Sequence, residues 1–119
     1  MKFFIGTDIE HVSRFSKLIQ NKPRILSKMF HPAEYEYALK SKNPDQTFTG
    51  TWCAKEAVLK CITEFADLTP RCIEIYRNEK GAPKCRILKD LGSDHTFEIQ
   101  LSISHTDEYA QSTALLVVK

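Results

Sequence analysis

A chain of 119 residues with 42% hydrophobic and 27% charged side chains and a formal net charge of +2 has the size of one globular domain, able to bury roughly two-thirds of its unfolded surface. That balance excludes a largely disordered chain, and neither a low-complexity tract nor an internal repeat is visible. The apolar run Phe3-Phe4-Ile5 is far too short for a signal peptide or a membrane span, so the expectation is a single domain over 1–119, cytoplasmic and without membrane contact.

Residues 2–8 alternate Phe3, Ile5 and Thr7 against Phe4, Gly6 and Asp8, which predicts a strand ending in an acidic residue. A carboxylate at that place is either a helix N-cap or a ligand-binding group at a strand end. Residues 11–30 contain no acidic side chain, whereas Arg14, Lys17, Lys22, Arg24 and Lys28 are all basic. Val12, Phe15, Leu18 and Ile19 recur at helical spacing there and leave Arg14 and Lys17 together on the solvent side. Such a face is a solvated surface, a dock for an acidic protein, or a nucleic-acid contact. The lack of interleaved aromatics and of any helix-turn-helix or RNA-binding signature weighs against nucleic acid.

Pro23 and Pro32 are placed to start helices over 24–30 and 33–40. Residues 41–46 read as a polar loop containing Pro44, and a long helix is expected from Thr47 or Thr49 to about Phe65. Asp67 and Thr69-Pro70 mark a break. A strand over 72–77, the turn Asn78-Glu79-Lys80-Gly81 and a return over 83–88 predict a hairpin. After a loop at 92–95, residues 97–105 alternate cleanly, turn through 106–109 and lead into the apolar run 114–118. Helices first and paired strands last predict an α+β fold, with a mainly antiparallel sheet packed against a long central helix.

The four cysteines, Cys53, Cys61, Cys72 and Cys85, lack CxxC spacing and read as reduced small hydrophobes. Histidines at 11, 31, 95 and 105 do not complete a zinc pattern.

The chemistry concentrates in Trp52-Cys53-Ala54-Lys55-Glu56-Ala57-Val58-Leu59-Lys60. On a helix, Ala54, Val58, Cys61, Ile62 and Phe65 share one face, and Trp52, Glu56, Leu59 and Lys60 lie roughly opposite. With bulk on both faces, Glu56 and Lys60 sit either in a partly desolvated cleft or as an intrahelical ion pair contributing a few tenths of a kcal/mol. Phe97, Ile99, Leu101 and Ile103 share strand parity with His105, which places the histidine at the end of the core-facing row. There it is a satisfied core residue, a charge switch or a phosphate donor.

Gly6-Thr7-Asp8-Ile9 with Arg14 downstream, Trp52 to Ala57 with Lys60 downstream, and Ser102-Ile103-Ser104-His105-Thr106 occur in that order, together with the turn Glu79-Lys80-Gly81-Ala82-Pro83 and Glu108-Tyr109-Ala110. The whole chain thereby resembles the holo-acyl-carrier-protein synthases, the group I 4'-phosphopantetheinyl transferases. The resemblance implies transfer of the 4'-phosphopantetheine arm of coenzyme A to a serine of apo-acyl carrier protein, releasing adenosine 3',5'-bisphosphate. It implies magnesium held by Asp8 and Glu56 and catalysis by Asp8, Glu56 and Lys60. Coenzyme contacts from Lys60 and His105, a carrier-protein contact from Arg14 and a homotrimer follow from it as well. Two positions depart from the family pattern: Thr51 stands where an arginine often precedes the helix aromatic, and residues 61–68 lack the usual glycine-rich turn. The competing expectations are a noncatalytic binder of acidic carriers and a different magnesium-dependent phosphotransferase. The second lacks a GxxxxGK[ST] phosphate loop to support it.

Overall fold

The computed structural model describes residues 1–92 and 96–119. In chain order the elements are β1 (Lys2–His11), α1 (Val12–Asn21), α2 (Pro23–Met29), α3 (Pro32–Lys40), α4 (Pro44–Ile62), a 3-10 turn (Pro70–Cys72), β2 (Ile73–Arg77), β3 (Pro83–Ile87), β4 (Phe97–His105) and β5 (Tyr109–Val118). The chain is α+β, with two antiparallel sheets: three strands in the order β1-β5-β4, and the β2-β3 hairpin.

Local chemistry explains most boundaries. Pro23, Pro32 and Pro44 each occupy the first turn of a helix, where the missing N–H costs nothing. This is why α4 begins at Pro44 and not at the expected Thr47 or Thr49; Asp45 then lies in the first turn, where a carboxylate complements the helix dipole. The β2-β3 turn closes because Gly81 takes φ +82° and Asn78 Oδ1 accepts from the backbone N–H groups of Lys80 and Ala82 at 3.0 and 2.9 Å. Cys72 belongs to the 3-10 turn and not to β2. Apart from Gly92, the loop expected at 92–95 lies almost wholly outside the described residues.

Helix α4 stands between two apolar clusters. Ala54, Ala57, Val58, Cys61 and Ile62 pack with Ile73, Ala114 and Leu116 against the sheets. On its other side Phe48 joins Phe15, Leu26, Phe30 and Ala38 from α1 to α3, with the Phe30 and Phe48 rings 5.1 Å apart. Trp52 is half-buried against Phe30, ring centroids 6.0 Å apart. The two-sided bulk read from the sequence is therefore covered within one chain, and needs no neighbouring subunit to explain it. The apolar surface left uncovered is elsewhere: on the outer face of β1, Phe3, Ile5 and Ile9 are 61%, 69% and 63% exposed.

Candidate active site

Strand β1 turns Gly6 toward α4 at very short range. A Cβ on Gly6 would lie 2.0 Å from the Ala57 carbonyl oxygen and 2.8 Å from the Cys61 nitrogen. Only a residue without a side chain lets strand and helix backbones meet this closely. Two residues on, and therefore on the same strand face, Asp8 lies beside the helix turn that carries Lys60.

Asp8 is not the strand end or helix cap that its sequence position suggested. β1 continues to His11 because β5 pairs with it all the way, with Asp8 opposite Ser112 and His11 opposite Tyr109, and the N-cap position of α1 falls on His11. Lys60 Nζ donates to the Thr7 carbonyl at 2.8 Å and to Asp8 Oδ1 at 3.3 Å. It pairs with Asp8, so the intrahelical bridge to Glu56 does not form. Among the described residues Asp8 Oδ2 is buried without any hydrogen-bond partner, a condition that costs free energy unless a ligand relieves it.

Glu56 is half-buried on the same side of α4. Burial, and then the charge of Asp8, push its carboxyl above the usual carboxylate range; Lys60 and Arg14 oppose this and Glu10 adds to it. Below the pair, Cys53 donates from Sγ to the Ala110 carbonyl at 3.4 Å, and its thiol is pushed up to about 12 by burial and by the Asp8 charge. The site thus holds two mutually repelling carboxylates, one of them with an unpartnered oxygen. Such an oxygen donor set suits a hard divalent cation whose remaining ligands come from substrate oxygens and water. Among the described residues no group of three or more His, Cys, Asp or Glu side chains is placed to hold a metal.

Of the other two predicted site residues, Arg14 stands at the edge of that cluster, near enough for its charge to act on Glu56, and His105 lies apart. Arg14 is exposed on α1 and pairs with Glu10 at 3.1 Å. It borders a groove of about 610 Å³ with His11, Lys17 and Lys22. Val12 and Phe15 are buried beneath, so the basic face is the solvent face, as the helical spacing predicts. His105 does not join the core. Phe97, Ile99, Leu101 and Ile103 all pack against the core cluster, but His105 ends β4 exposed. It lines a separate cavity of about 330 Å³ with Tyr37, Lys42, Gln46 and Arg77, which has three basic and no acidic lining residues. Since β5 lies between β4 and β1, His105 and Asp8 sit on strands roughly 10 Å apart, two inter-strand spacings.

Sequence reasoning missed one buried ionic contact. Lys55 is fully buried and its Nζ lies 2.7 Å from Glu34 Oε1, with neither side chain accessible. Burial depresses the Lys55 pKa, and Glu34 opposes that shift. The signal was present: Lys55 lies two helical turns from Phe48 and two from Ile62, both buried, and a lysine between two such positions requires a partner.

Comparison with known proteins gives the chain its family. Residues 4–114 match the family model of the 4'-phosphopantetheinyl transferase superfamily. The chain is 38% identical over 122 residues to the holo-[acyl-carrier-protein] synthase of Caldanaerobacter subterraneus subsp. tengcongensis, covering 98% of this chain and 96% of that protein. It is also 38% identical over 121 residues to that of Chlamydia caviae, covering 96% of each. The solved ACPS-CoA complex of Chronobacterium ammoniagenes superposes with a TM-score of 0.84 at 22% identity, covering 100% of this chain and 99% of that one; at that identity the likeness speaks for the fold. With nearly full-length matches to both the family model and these relatives, the chain belongs to the 4'-phosphopantetheinyl transferase superfamily, among the holo-acyl-carrier-protein synthases.

Proposed function

We infer that this protein transfers the 4'-phosphopantetheine arm of coenzyme A to a serine hydroxyl of an apo-acyl carrier protein and releases adenosine 3',5'-bisphosphate. The observation that carries the reading is the meeting of Asp8, Glu56 and Lys60 around a buried, unpartnered carboxylate oxygen, in a chain whose relatives are holo-acyl-carrier-protein synthases. The whole chain, 1–119, acts as one transferase domain. Among the described residues no helix is long and apolar enough to cross a membrane, in keeping with a cytoplasmic site of action.

Asp8 and Glu56 would hold magnesium, with the Asp8 oxygen that lacks a partner as one ligand. Bound there, the ion would neutralise the pyrophosphate and polarise the anhydride under attack. In the transfer itself the serine oxygen loses its proton to water and bonds to the phosphorus that carries the pantetheine arm, as the bond from that phosphorus to the departing adenosine 3',5'-bisphosphate breaks. The demand on the protein is to place the two oxygens in line and to meet the charge developing on the leaving group. Lys60 serves that charge: its side chain is about half exposed, and its ammonium already lies beside Asp8 at 3.3 Å, so substrate phosphates can reach it.

His105 contributes to coenzyme binding with Lys42 and Arg77, whose shared cavity has no carboxylate to repel a phosphate. His105 and Asp8 stand roughly 10 Å apart within one chain, so a coenzyme can reach both, and a homotrimer would place such sites at the contacts between copies. The exposed stripe Phe3, Ile5 and Ile9 on β1 offers the apolar surface for such contact. This supports a homotrimer with shared sites. Native mass spectrometry should find three chains, and a monomer fully active at all concentrations would reject the arrangement.

Arg14 meets the carrier. Carrier proteins are acidic near the modified serine, and a rim arginine acts mainly on encounter and orientation. Arg14→Glu should lower kcat/KM for the carrier by at least about tenfold while coenzyme A binding stays within about twofold; equal loss of both would reject the role. The transferase reading as a whole is tested by incubating the protein with apo-acyl carrier protein, coenzyme A and magnesium, then weighing the carrier for the added arm. Absence of modification on several apo carriers, under conditions where a known synthase works, would sink it.

A further inference from the structure

The Glu34 and Lys55 contact uses all three ammonium donors of Lys55 and both carboxylate oxygens of Glu34. Lys55 Nζ donates to Glu34 Oε1 at 2.7 Å, to the Ile73 carbonyl at 2.7 Å and to the Pro70 carbonyl at 3.2 Å. Glu34 Oε1 also accepts from the backbone N–H of His31 at 2.7 Å, and its Oε2 accepts from the backbone N–H of Ile75 at 2.8 Å. One ion pair thereby ties together the first turn of α3, the middle of α4, and the segment where the chain returns through the 3-10 turn into β2.

Stability alone is a weak reason to keep such a pair, because buried ion pairs are often matched or bettered by apolar residues of similar volume. What it supplies is direction. Turning α4 about its axis would strand the three ammonium donors of Lys55 and leave the buried Glu34 carboxylate without its cation. Glu56 is the next residue, about 100° around the helix, on the side that faces Asp8. Its carboxylate lies roughly 5–6 Å from the helix axis, so a 20° rotation would carry it roughly 2 Å sideways. A displacement of 1 Å can cost about a hundredfold in rate. The separation between β1 and α4 is set independently, by the backbone contact at Gly6. The contact at Lys55 sets rotation.

We propose that Glu34 and Lys55 are positioning residues for the transfer reaction: their buried contact fixes the rotation of α4 that brings Glu56 to Asp8. This rests on the transferase reading above. Glu34→Gln is the mild test, since it keeps shape but points an amide donor at an N–H that already donates. Lys55→Met is the second. At a temperature where each variant is folded by circular dichroism, kcat should fall by about 10- to 100-fold while KM for coenzyme A stays within about twofold. The rise in melting temperature that magnesium with coenzyme A gives the wild type should shrink in the same variants. A folded Glu34→Gln protein with wild-type kcat and a wild-type magnesium shift overturns the proposal. So does a loss confined to KM, and so does failure of both variants to fold, which would make the pair a folding determinant. Wild-type protein that transfers nothing would defeat the transferase reading instead, and the melting shifts would still compare wild type with variants.

Discussion

Glu56→Gln is expected to lower transfer by about two to three powers of ten and, at neutral pH, to raise the melting temperature of the metal-free protein. Both effects have one cause. Burial and Asp8 hold the Glu56 carboxyl above its ordinary pKa, so its ionised form is less favoured in the folded chain than in the unfolded one. A group raised in this way favours folding fully below its unfolded pKa, and that contribution is lost as pH rises through the folded value. The amide keeps the shape and removes the charge, and so removes the loss. The shift belongs to the metal-free protein: a cation held between Asp8 and Glu56 would offset it and favour the ionised carboxylate. Thermal melts and initial rates of carrier modification check both claims; a Glu56→Gln protein that melts lower and transfers normally would refute them.

Gly6→Ala is expected to be as severe through the fold itself. The new methyl would meet the Ala57 carbonyl oxygen at 2.0 Å and the Cys61 nitrogen at 2.8 Å. Both are backbone atoms of a buried helix, so relief requires strand and helix to part. Overpacking commonly costs 1–3 kcal/mol, and a backbone clash belongs at or above about 3 kcal/mol, a large share of the 5–15 kcal/mol that holds a typical domain. A fall in melting temperature of about 10 °C or more follows. Any protein that does fold should also transfer slowly, since the parting that admits the methyl separates Asp8 from Glu56. An alanine variant with wild-type melting and rate would show that the close contact is unnecessary.

Much of the architecture was legible because its signals are local. Pro23 and Pro32 start the two helices expected of them, the Asn78 to Gly81 turn needs one positive φ, and alternation from Phe97 to Ile103 marks the core row of β4. What escaped depends on partners distant in sequence. β1 runs past Asp8 only because β5, a hundred residues later in the chain, pairs with it to His11. His105 has the right parity for the core but overruns the body that its row packs against. Lys55 looked like one more charge of the motif until Glu34, from a different helix, was placed against it. Asp8, Glu56 and Lys60 could be singled out as a set from their motifs; that Lys60 turns to Asp8 and leaves Glu56 unbridged required the packing of α4 on β1.

Cys53 is placed where an oxidant could do great harm, directly under the paired carboxylates. With its thiol pushed up to about 12, the thiolate fraction at pH 7 is on the order of one in 10⁵, and thiolate is the form that reacts. Cys61 and Cys85 are likewise raised, to about 11 and about 12, whereas Cys72 is lowered by its contact with Thr69. Redox chemistry is therefore drawn toward the 3-10 turn and away from the carboxylates, which keep an uncharged, chemically inert floor beneath them.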